Sequence, residues 1–297
     1  AQKNDQGLRT GIPDADELNA ERELILDHLT KMSRSRRLAQ DARQYELPAD
    51  LGASADSIIA RRLLREPIQY ILAEAYFYGL PFVVRPGVLI PRSDTEALVE
   101  LVIDAFGVGR GDRQKSDEGK FLQVDLTIGE IGAGSGIIAI CLLKNIEHVR
   151  VSACDISETA VAVTLENARI HQVEGRLDLI RRDWQQWMDE LPGPLDALVS
   201  NPPYIARRLR KTLEPEVALY EPDEALFDSD EDGLGFYRKF ASRGASCLRS
   251  GALVFFECGD GQAAAIAAVF ADNGWRSVAI KKDLNGAERV VTAVAPH

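Results

Sequence analysis

From residue 123 onward the chain alternates between two apolar patterns, and this alternation restricts the fold more than any other feature of the sequence. Segments rich in β-branched residues predict strands, and segments with apolar residues at helical spacing predict helices. The predicted strands are Gln123–Ile131, Val149–Ile156, Leu177–Arg182, Leu195–Ser200, Ala252–Cys258, Ser277–Lys282 and Arg289–Val294. The predicted helices are Gly136–Leu143, Glu158–His171 and Gln262–Asn273. Such alternation predicts an α/β fold with a mainly parallel, doubly wound sheet.

The last two predicted strands are joined differently from the others. The residues between them are Asp283, Leu284, Asn285 and Gly286. Asn-Gly between two strands is a strong signal for a two-residue hairpin turn. We therefore predict that the seven-stranded sheet ends in an antiparallel C-terminal hairpin.

The residues before this region have a different character. Up to about Ile71 the apolar residues follow a helical period, whereas Tyr76–Val84 is aromatic, β-branched and broken by Gly-Leu-Pro, which predicts a β-hairpin. A capping box formed by Ser93 and Glu96 predicts a helix that starts near Asp94. We therefore expect a small helical domain at 1–72, a β-hairpin linker at 73–92 and an α/β domain at 93–297. The polar, glycine-rich segment 107–120 predicts a mobile surface loop.

Composition excludes several classes of function. The formal net charge of −11 argues against an enzyme that embraces duplex DNA, because phosphate contacts require a basic surface. No apolar run is long enough to span a bilayer, and the first residues lack the apolar core of a signal peptide, so we expect a cytoplasmic protein. The four cysteines lie in separate apolar stretches and predict buried thiols. The four histidines are scattered, so we expect no metal site.

A glycine-rich turn follows the first strand of the α/β region. The segment reads Glu130-Ile131-Gly132-Ala133-Gly134-Ser135-Gly136. A dinucleotide-binding fingerprint needs a glycine at its sixth position, where this chain has Ile137. The pattern is instead GxGxG with an acid two residues before it, which resembles the loop that binds S-adenosylmethionine. A tight strand–helix connection is an equally good explanation of the turn by itself.

Polar residues also lie at the end of the second predicted strand and directly after the third. Asp155 ends the second strand, where a carboxylate can accept both ribose hydroxyls of an adenosine. Asp183 and Trp184 follow the third strand, where the acid can accept from an adenine amino group and the indole can cover the ring. A lone Asp in this position is more often a helix N-cap, and Trp184 alone is more often core. The order of the three features favours a cofactor site, since open α/β sheets bind ligands at the carboxyl ends of their strands.

The fourth strand is followed by Asn201-Pro202-Pro203-Tyr204, a candidate catalytic segment. A glutamine amide nitrogen is a poor nucleophile because its lone pair is delocalised into the carbonyl. The Asn201 side-chain oxygen can accept one N–H of such a group and the Pro202 carbonyl the other, while Tyr204 can form an aromatic wall. The alternative is a rigid turn that ends a strand. The tetrapeptide indicates a substrate with a planar NH₂ group, and the N6 amino group of adenine in DNA fits it as well as a glutamine amide does.

Several further motifs resemble the HemK/PrmC family of protein-(glutamine-N5) methyltransferases, which act on peptide chain release factors. The resemblance runs from about Arg62 to Val294. Beside the tetrapeptide, the segments that carry it are residues 65–71 (REPIQYI), 77–82 (FYGLPF), 88–96 (VLIPRSDTE), 221–226 (EPDEAL), 231–238 (EDGLGFYR), 257–262 (ECGDGQ) and 282–291, which holds Lys282-Asp283-Leu284 and Arg289-Val290-Val291. The segments 88–96 and 231–238 are specific, since adenine methyltransferases share only the tetrapeptide.

The resemblance implies a class I methyltransferase fold, whose sheet ends in an antiparallel hairpin, with S-adenosyl-L-methionine as cofactor and S-adenosyl-L-homocysteine as product. It implies that the release factor presents the glutamine of its GGQ loop and that the N-terminal helices help to bind it. It assigns Glu130, Gly132, Gly134, Gly136, Asp155, Asp183, Trp184 and Asn201 to the cofactor. It assigns Arg92 and Glu221 to substrate binding, beside Asn201, Pro202 and Tyr204.

The sequence departs from the family pattern at four places. Glu130 stands where the family usually has Asp, Ser93 replaces a proline, Ala73 replaces a glycine, and the loop at 107–120 is longer than usual. Three other functions stay open: a glutamine methyltransferase of a ribosomal protein, a DNA adenine-N6 methyltransferase, and a cofactor-binding scaffold without activity. Asp94-Thr95-Glu96 favours the release-factor branch, although Ser93 is shared with the ribosomal-protein branch.

Overall fold

A computed structural model of the chain describes residues 2–3, 9–10, 15–31, 49–107 and 126–296. The predicted loop at 107–120 lies, apart from Gly107, outside the described residues, as do the first three residues of the predicted strand Gln123–Ile131. The strands are β1 Gln2–Lys3, β2 Arg9–Thr10, β3 Glu74–Phe77, β4 Leu80–Val83, β5 Leu126–Ile131, β6 Val149–Asp155, β7 Leu177–Arg181, β8 Leu195–Ser200, β9 Leu248–Glu257, β10 Arg276–Lys282 and β11 Glu288–Val294.

The helices alternate with these strands. They are α1 Ala15–Thr30, α2 Ala49–Leu63, α3 Ile68–Leu72, α4 Asp94–Phe106, α5 Ile137–Asn145, α6 Glu158–Ile170, α7 Trp184–Glu190, α8 Pro215–Tyr220, α9 Asp223–Leu226, α10 Gly235–Arg243 and α11 Ala263–Asp272. The predicted helices Gly136–Leu143, Glu158–His171 and Gln262–Asn273 correspond to α5, α6 and α11. The N-terminal region is not entirely helical, because β1 pairs with β2.

The central sheet has seven strands in the order β10-β11-β9-β8-β5-β6-β7. The strands from β9 to β7 are parallel, whereas β11 pairs antiparallel with both β9 and β10. The predicted α/β fold and antiparallel C-terminal hairpin are therefore confirmed. The fifth predicted strand, Ala252–Cys258, was too short at its start, since β9 begins at Leu248 and includes polar residues beside a register irregularity opposite β8.

The sheet is covered on both faces by apolar clusters. Neighbouring residues of β8 belong to different clusters, with Val199 in one and Leu198 in the other, and both are fully buried. This follows from the period of a strand, in which successive side chains point to opposite faces. A sheet buried on both faces holds its strand ends in fixed positions, and the polar residues that follow those strands are therefore brought together at one edge.

The chain divides into two compact units. The first contains Ala1–Glu74 together with Leu209–Glu221, and the second contains Ala75–Arg208 and Pro222–His297. No pattern in the sequence indicates that residues 209–221 belong to the same unit as the N-terminal helices. The expected boundaries at residues 72 and 92 stay a prediction.

Ion pairs within the first unit connect the 209–221 segment to the N-terminal helices. The Arg62 side chain is nearly fully buried and donates to the carboxylates of Glu21 and Glu216, with shortest distances of 2.8 and 2.7 Å. The Tyr220 hydroxyl donates to the Leu64 carbonyl at 2.7 Å. A buried guanidinium that is shared between two carboxylates requires both partners, so these contacts hold α8 against α1 and α2.

Apart from Glu74, the β3–β4 hairpin belongs to the second unit, where Asn167 of α6 anchors it. The Asn167 amide accepts from the Val83 N–H at 2.8 Å and donates to the carbonyls of Val83 and Ser135 at 2.9 and 2.8 Å. One fully buried side chain therefore ties the hairpin to the turn after β5. The role of residues 73–92 as a linker stays a prediction.

The helix predicted near Asp94 begins there, but the predicted capping box is wrong. Ser93 has helical φ and ψ of −58° and −30°, and its side chain makes no cap hydrogen bond. A residue in that conformation is already inside the first turn and cannot act as an N-cap. The carboxylate of Glu96 instead accepts from the Tyr78 backbone N–H at 2.8 Å and so fixes the hairpin.

Candidate active site

A cleft opens beside the carboxyl ends of β5, β6, β7 and β8, and most of the predicted site residues line it. It encloses about 1120 Å³ of space, part of which is open solvent. The predicted residues in its wall are Arg92, Glu130, Gly132, Gly134, Asp155, Asp183, Trp184, Asn201, Pro202 and Pro203. Three predicted residues, Gly136, Tyr204 and Glu221, do not line this cleft as the described residues form it.

The glycines in the turn after β5 are required for different structural reasons. Gly132 and Gly134 have φ of +78° and +58°, and no described atom lies within 4 Å of a Cβ built on either residue. Gly136 has φ of +84°, but a Cβ there would lie 2.9 Å from Cγ2 of Thr164. The first two glycines therefore leave open space at the cleft, whereas Gly136 allows α5 to pack closely against α6.

Glu130, the acid before the turn, is fully buried in the wall of the cleft. Its Oε2 accepts from the Ala139 N–H at 3.1 Å, and its Oε1 has no hydrogen-bond partner among the residues that the structure describes. Burial raises the pKa of Glu130 well above its ordinary value, and the nearby charge of Asp155 adds to this effect. A cationic ligand group in the cleft would satisfy the free oxygen and favour the ionised carboxylate.

Asp155 fixes the same turn from β6. One carboxylate oxygen accepts from the Gly134 N–H at 2.9 Å and the other from the Ser157 N–H at 2.9 Å. Burial raises the pKa of Asp155, although these two hydrogen bonds act in the opposite direction, and the charge of Glu224 raises it further. Each carboxylate oxygen has a second lone pair that a ligand hydroxyl can use.

Asp183 and Trp184 follow β7, where both residues take part in the local structure and also line the cleft. The Asp183 side chain accepts from the Gln185 N–H at 2.9 Å and is thus the N-cap of α7, while both residues also line the cleft. The Trp184 ring packs against Phe236, with 5.2 Å between the ring centroids. Phe236 itself lines the cleft, and no motif in the sequence assigned it a role.

These groups fit an S-adenosylmethionine molecule. An acid with one free oxygen suits the amino group of the methionine part, and the Asp155 carboxylate suits the ribose hydroxyls. The aromatic rings of Trp184 and Phe236 suit a planar base. The open space in front of Gly132 and Gly134 is space that any other residue would reduce.

Asn201 and Pro202, which follow β8, also line the cleft. The preceding residue, Ser200, is fully buried at the end of β8 and donates to the Ile131 carbonyl at 2.7 Å. The Asn201 Nδ2 donates to Thr95 Oγ1 at 3.1 Å. Thr95 of α4 therefore fixes the Nδ2 side of the Asn201 amide, and the amide oxygen can accept from another donor.

Tyr204 lies beside this wall. Its hydroxyl donates to Glu257 Oε1 at 3.4 Å, and burial raises its pKa. Glu221, the remaining predicted residue outside the wall, is a buried residue of the first unit at the C-terminal end of α8.

Two residues at the site were not identified from the sequence. Thr95 lines the cleft and accepts from Asn201, and Glu257 is buried at the end of β9. Burial raises the pKa of Glu257 to about 7. Both residues belong to segments that carry the family resemblance, but nothing in the local pattern indicated that they meet near Asn201.

Other predicted features concern absences and buried groups. The four cysteines are free and buried, as predicted. Within the described part of the chain, no group of three or more His, Cys, Asp or Glu residues is arranged to hold a metal ion. None of the helices in the described ranges has the length and apolarity needed to cross a membrane.

Comparison with known proteins identifies two family models in the chain. Residues 9–72 match the PrmC N-terminal domain, and residues 120–217 match the methyltransferase small domain. The first match extends the resemblance well before Arg62, where the sequence motifs began. A structure described as a methyltransferase from Pyrococcus furiosus superposes with a TM-score of 0.51 at 16% identity, covering 81% of this chain and 100% of that one. It supports the class I methyltransferase fold.

Two relatives are similar over most of their length. The release factor glutamine methyltransferase of Thermodesulfovibrio yellowstonii is 33% identical over 269 residues, which is 90% of this chain and 89% of the relative. The protein of the same name from Bacteroides thetaiotaomicron is 37% identical over 239 residues, which is 80% of this chain and 79% of the relative. With its fold and its cleft, the chain therefore belongs to the HemK/PrmC family of S-adenosylmethionine-dependent protein-glutamine methyltransferases.

Proposed function

We propose that this chain transfers the methyl group of S-adenosylmethionine to the side-chain amide nitrogen of the glutamine in the GGQ motif of a peptide chain release factor. The names of the similar relatives support the choice of release factor. The observation that carries the chemistry is the Asn201 amide, which is held by Thr95 in the wall of a cleft that also contains the glycine-rich turn.

Cofactor binding is assigned to the wall formed by β5, β6 and β7. Glu130 accepts from the amino group of the cofactor, Asp155 from its ribose hydroxyls and Asp183 from its adenine amino group. Gly132 and Gly134 leave room for it, while Trp184 covers the base. Gly136 acts indirectly by setting the start of α5. The bound cofactor supplies an electrophilic methyl group.

The amide of the substrate is oriented by Asn201 and Pro202. The Asn201 side-chain oxygen accepts one N–H of the glutamine and the Pro202 carbonyl accepts the other, with Pro203 keeping the turn rigid. These acceptors stabilise the positive charge that develops on the nitrogen, so they favour the transition state over the ground state. The Tyr204 ring forms a wall beside the amide, and Arg92 and Glu221 contribute to substrate binding.

The reaction needs no strong general base in the cleft. A nitrogen that has gained a methyl group becomes acidic and loses its proton to water, because its positive charge cannot be delocalised. The chain therefore has to orient the amide and limit its contact with solvent. We further propose that residues 1–72 contribute to release factor binding, that the protein acts in the cytoplasm and that it does not bind duplex DNA.

Mass spectrometry with labelled S-adenosylmethionine tests this function. The protein is incubated separately with a release factor, its GGQ-to-GGA variant, a ribosomal protein fraction and duplex DNA. We expect one added methyl group on the GGQ glutamine and none on the variant. Label on the ribosomal fraction or on DNA instead would contradict the proposed substrate and support one of the two alternative enzymes.

The Asn201→Ala variant tests the role of the tetrapeptide. We expect a loss of roughly 10²–10³-fold in kcat, because one oriented acceptor for the developing charge is removed. Calorimetry should show that S-adenosylmethionine still binds. A suitable control is Asn273→Ala at the end of α11, where the side chain bonds the Val269 carbonyl far along the chain from the site. Full activity of Asn201→Ala would instead indicate that the tetrapeptide is only a structural turn.

A further inference from the structure

A chain of side-chain contacts runs from Asn201 to a buried acid that does not line the cleft. Asn201 Nδ2 donates to Thr95 Oγ1 at 3.1 Å, and the Thr95 side chain also hydrogen-bonds the Glu257 carboxylate. Thr95 and Glu257 are each 1% exposed. Thr95 therefore connects a residue at the reaction site to an acid that cannot reach a substrate.

The protonation state of the acid sets the direction of these hydrogen bonds. An ionised carboxylate only accepts, so it takes the proton of the Thr95 hydroxyl and leaves that oxygen as an acceptor. The Asn201 amide must then present its Nδ2 to Thr95 and its oxygen to the cleft. A protonated Glu257 can donate to Thr95 instead, which frees the hydroxyl to donate to Asn201 Oδ1 and to hold the amide the other way round.

Stability does not explain why this acid is buried. Glu257 Oε2 has no hydrogen-bond partner within the described ranges, and a buried carboxylate with an unsatisfied oxygen is costly. An apolar or neutral residue would fold at lower cost. Buried titratable groups of this kind are concentrated at functional sites, where they are retained for their role in activity although they lower stability.

We propose that Glu257 is a positioning residue that acts through the Thr95 hydroxyl to hold the Asn201 amide oxygen toward the cleft. This inference rests on the proposed function, in which that oxygen accepts an N–H of the substrate glutamine. Glu257 does not line the cleft, and its effect on the reaction is the orientation of Asn201.

The surroundings of Glu257 place its titration near neutral pH. Burial raises its pKa to about 7, with the charge of Asp94 acting in the same direction, while Thr95, Arg289 and Tyr204 lower it. The Tyr237 hydroxyl donates to the Glu257 backbone carbonyl at 2.6 Å, and the Cys258 thiol lies next in the chain. Burial raises the pKa of both of these groups, so they stay neutral in this range.

Activity should therefore rise with pH through about 7. An acid with that pKa is roughly one-tenth ionised at pH 6 and nine-tenths ionised at pH 8, so kcat of the unmodified enzyme should increase about tenfold between them. In Glu257→Gln the pH step should disappear and kcat at pH 8 should fall about 10–100-fold. The affinity for S-adenosylmethionine should change by less than about twofold, since Glu257 does not line the cleft.

Variants of Thr95 separate positioning from simple packing. Thr95→Ser keeps the hydroxyl and should keep the pH step, whereas Thr95→Val should resemble Glu257→Gln. The double variant Thr95→Val with Glu257→Gln should lose no more activity than either single variant, because both changes break one chain of contacts. Multiplied losses, or a pH step that persists in Glu257→Gln, would refute the inference.

A measurement without substrate keeps this inference separate from the proposed function. The side-chain amide resonance of Asn201, identified by its absence in Asn201→Asp, should shift with a midpoint near the pKa of about 7 and should not shift in Glu257→Gln. An Asn201 resonance that is constant from pH 6 to 8 would overturn the positioning role even if the release factor is methylated. A titrating resonance would support the role even if the methylated substrate is another protein.

Discussion

At the scale of single residues, the turn after β5 shows that identical residues in one motif can have different functions. Gly132 and Gly134 have positive φ and face open space, whereas Gly136 has positive φ and faces Thr164. A motif in the sequence does not separate these cases, because all three glycines satisfy the same spacing. The structure separates them by what a Cβ would contact.

Substitution of Gly136 should therefore destabilise the protein more than substitution of Gly134. Gly134→Ala is strained only by its positive φ and should cost about 1–2 kcal/mol. Gly136→Ala adds a collision with Thr164 and should cost about 2–4 kcal/mol. Urea denaturation measures both values.

Thr164→Ser provides the matched control for Gly136→Ala. It removes the Cγ2 atom and keeps the hydroxyl that donates to the Gly134 carbonyl at 3.0 Å. The double variant should recover part of the packing loss, because Cδ1 of Ile140 still lies 3.1 Å from the added Cβ. No recovery would mean that strain alone accounts for the effect.

At the scale of elements, the β3–β4 hairpin is positioned by side chains of two helices that follow it in the chain. Glu96 of α4 accepts from the Tyr78 N–H, and Asn167 of α6 bonds both backbone groups of Val83. Asn167 also binds the Ser135 carbonyl, so the hairpin and the turn after β5 share one support. The hairpin is followed directly by residues 87–92, which line the cleft.

Replacing Asn167 should therefore weaken both the fold and the cofactor site. Asn167→Ala leaves the Val83 and Ser135 backbone groups without their side-chain partner and should cost about 2–4 kcal/mol. Denaturation in urea measures the loss, and calorimetry should show weaker S-adenosylmethionine binding. The comparison variant is Asn145→Ala, because Asn145 is exposed and its amide donates to a single carbonyl, that of Cys141. Equal stabilities of the two variants would contradict the anchoring role.

A second prediction at this scale concerns the segment 209–221. Arg62→Met removes a buried guanidinium and leaves the carboxylates of Glu21 and Glu216 without their common partner, which should cost about 3–5 kcal/mol. Hydrogen exchange in peptides from 209–221 should become faster. Arg22→Met is the control, because Arg22 is an exposed residue of α1 whose pair with Glu23 spans 3.6 Å. Unchanged exchange in Arg62→Met would show that other contacts hold the segment.

At the scale of the whole molecule, the buried acids at the site lower the stability of the fold when they are ionised. Burial raises the pKa of Glu130, Asp155 and Glu257, and all three lie at or directly behind the site. A carboxyl group whose pKa is higher in the folded than in the unfolded protein stabilises the folded state. This stabilisation is complete when the pH is below the pKa of the group in the unfolded chain. The stabilisation is lost as the pH rises through the pKa of the group in the folded protein.

The pH dependence of stability follows for Glu257, whose pKa is raised from 4.5 to about 7. The unmodified protein should lose stability between these values as pH rises, whereas Glu257→Gln should not lose this part. At pH 8 the variant should be more stable by about 2–3 kcal/mol, and near pH 4.5 the two should converge. Urea denaturation at both pH values tests this, with the exposed Glu288→Gln as control. A less stable Glu257→Gln at pH 8 would contradict the sign of the effect.

The sequence by itself determined the order of elements, the parallel sheet with its final hairpin, and ten of the residues that line the cleft. These features depend on local information: apolar periodicity, turn residues and the rule that polar residues after parallel strands meet at one edge. The tetrapeptide after β8 and the acids at the ends of β5 and β6 were found in this way. The family motifs then restricted the class of substrate.

Only the tertiary structure decided which distant side chains meet. Asn201 contacts Thr95 across 106 residues of sequence, and Arg62 contacts Glu216 across 154. Ser93 and Glu96 matched a local capping rule, yet the helical conformation of Ser93 and the nearby hairpin gave Glu96 another partner. Such contacts depend on how the packed elements approach each other, which no local pattern encodes, and they place Thr95 and Glu257 behind the proposed catalytic asparagine.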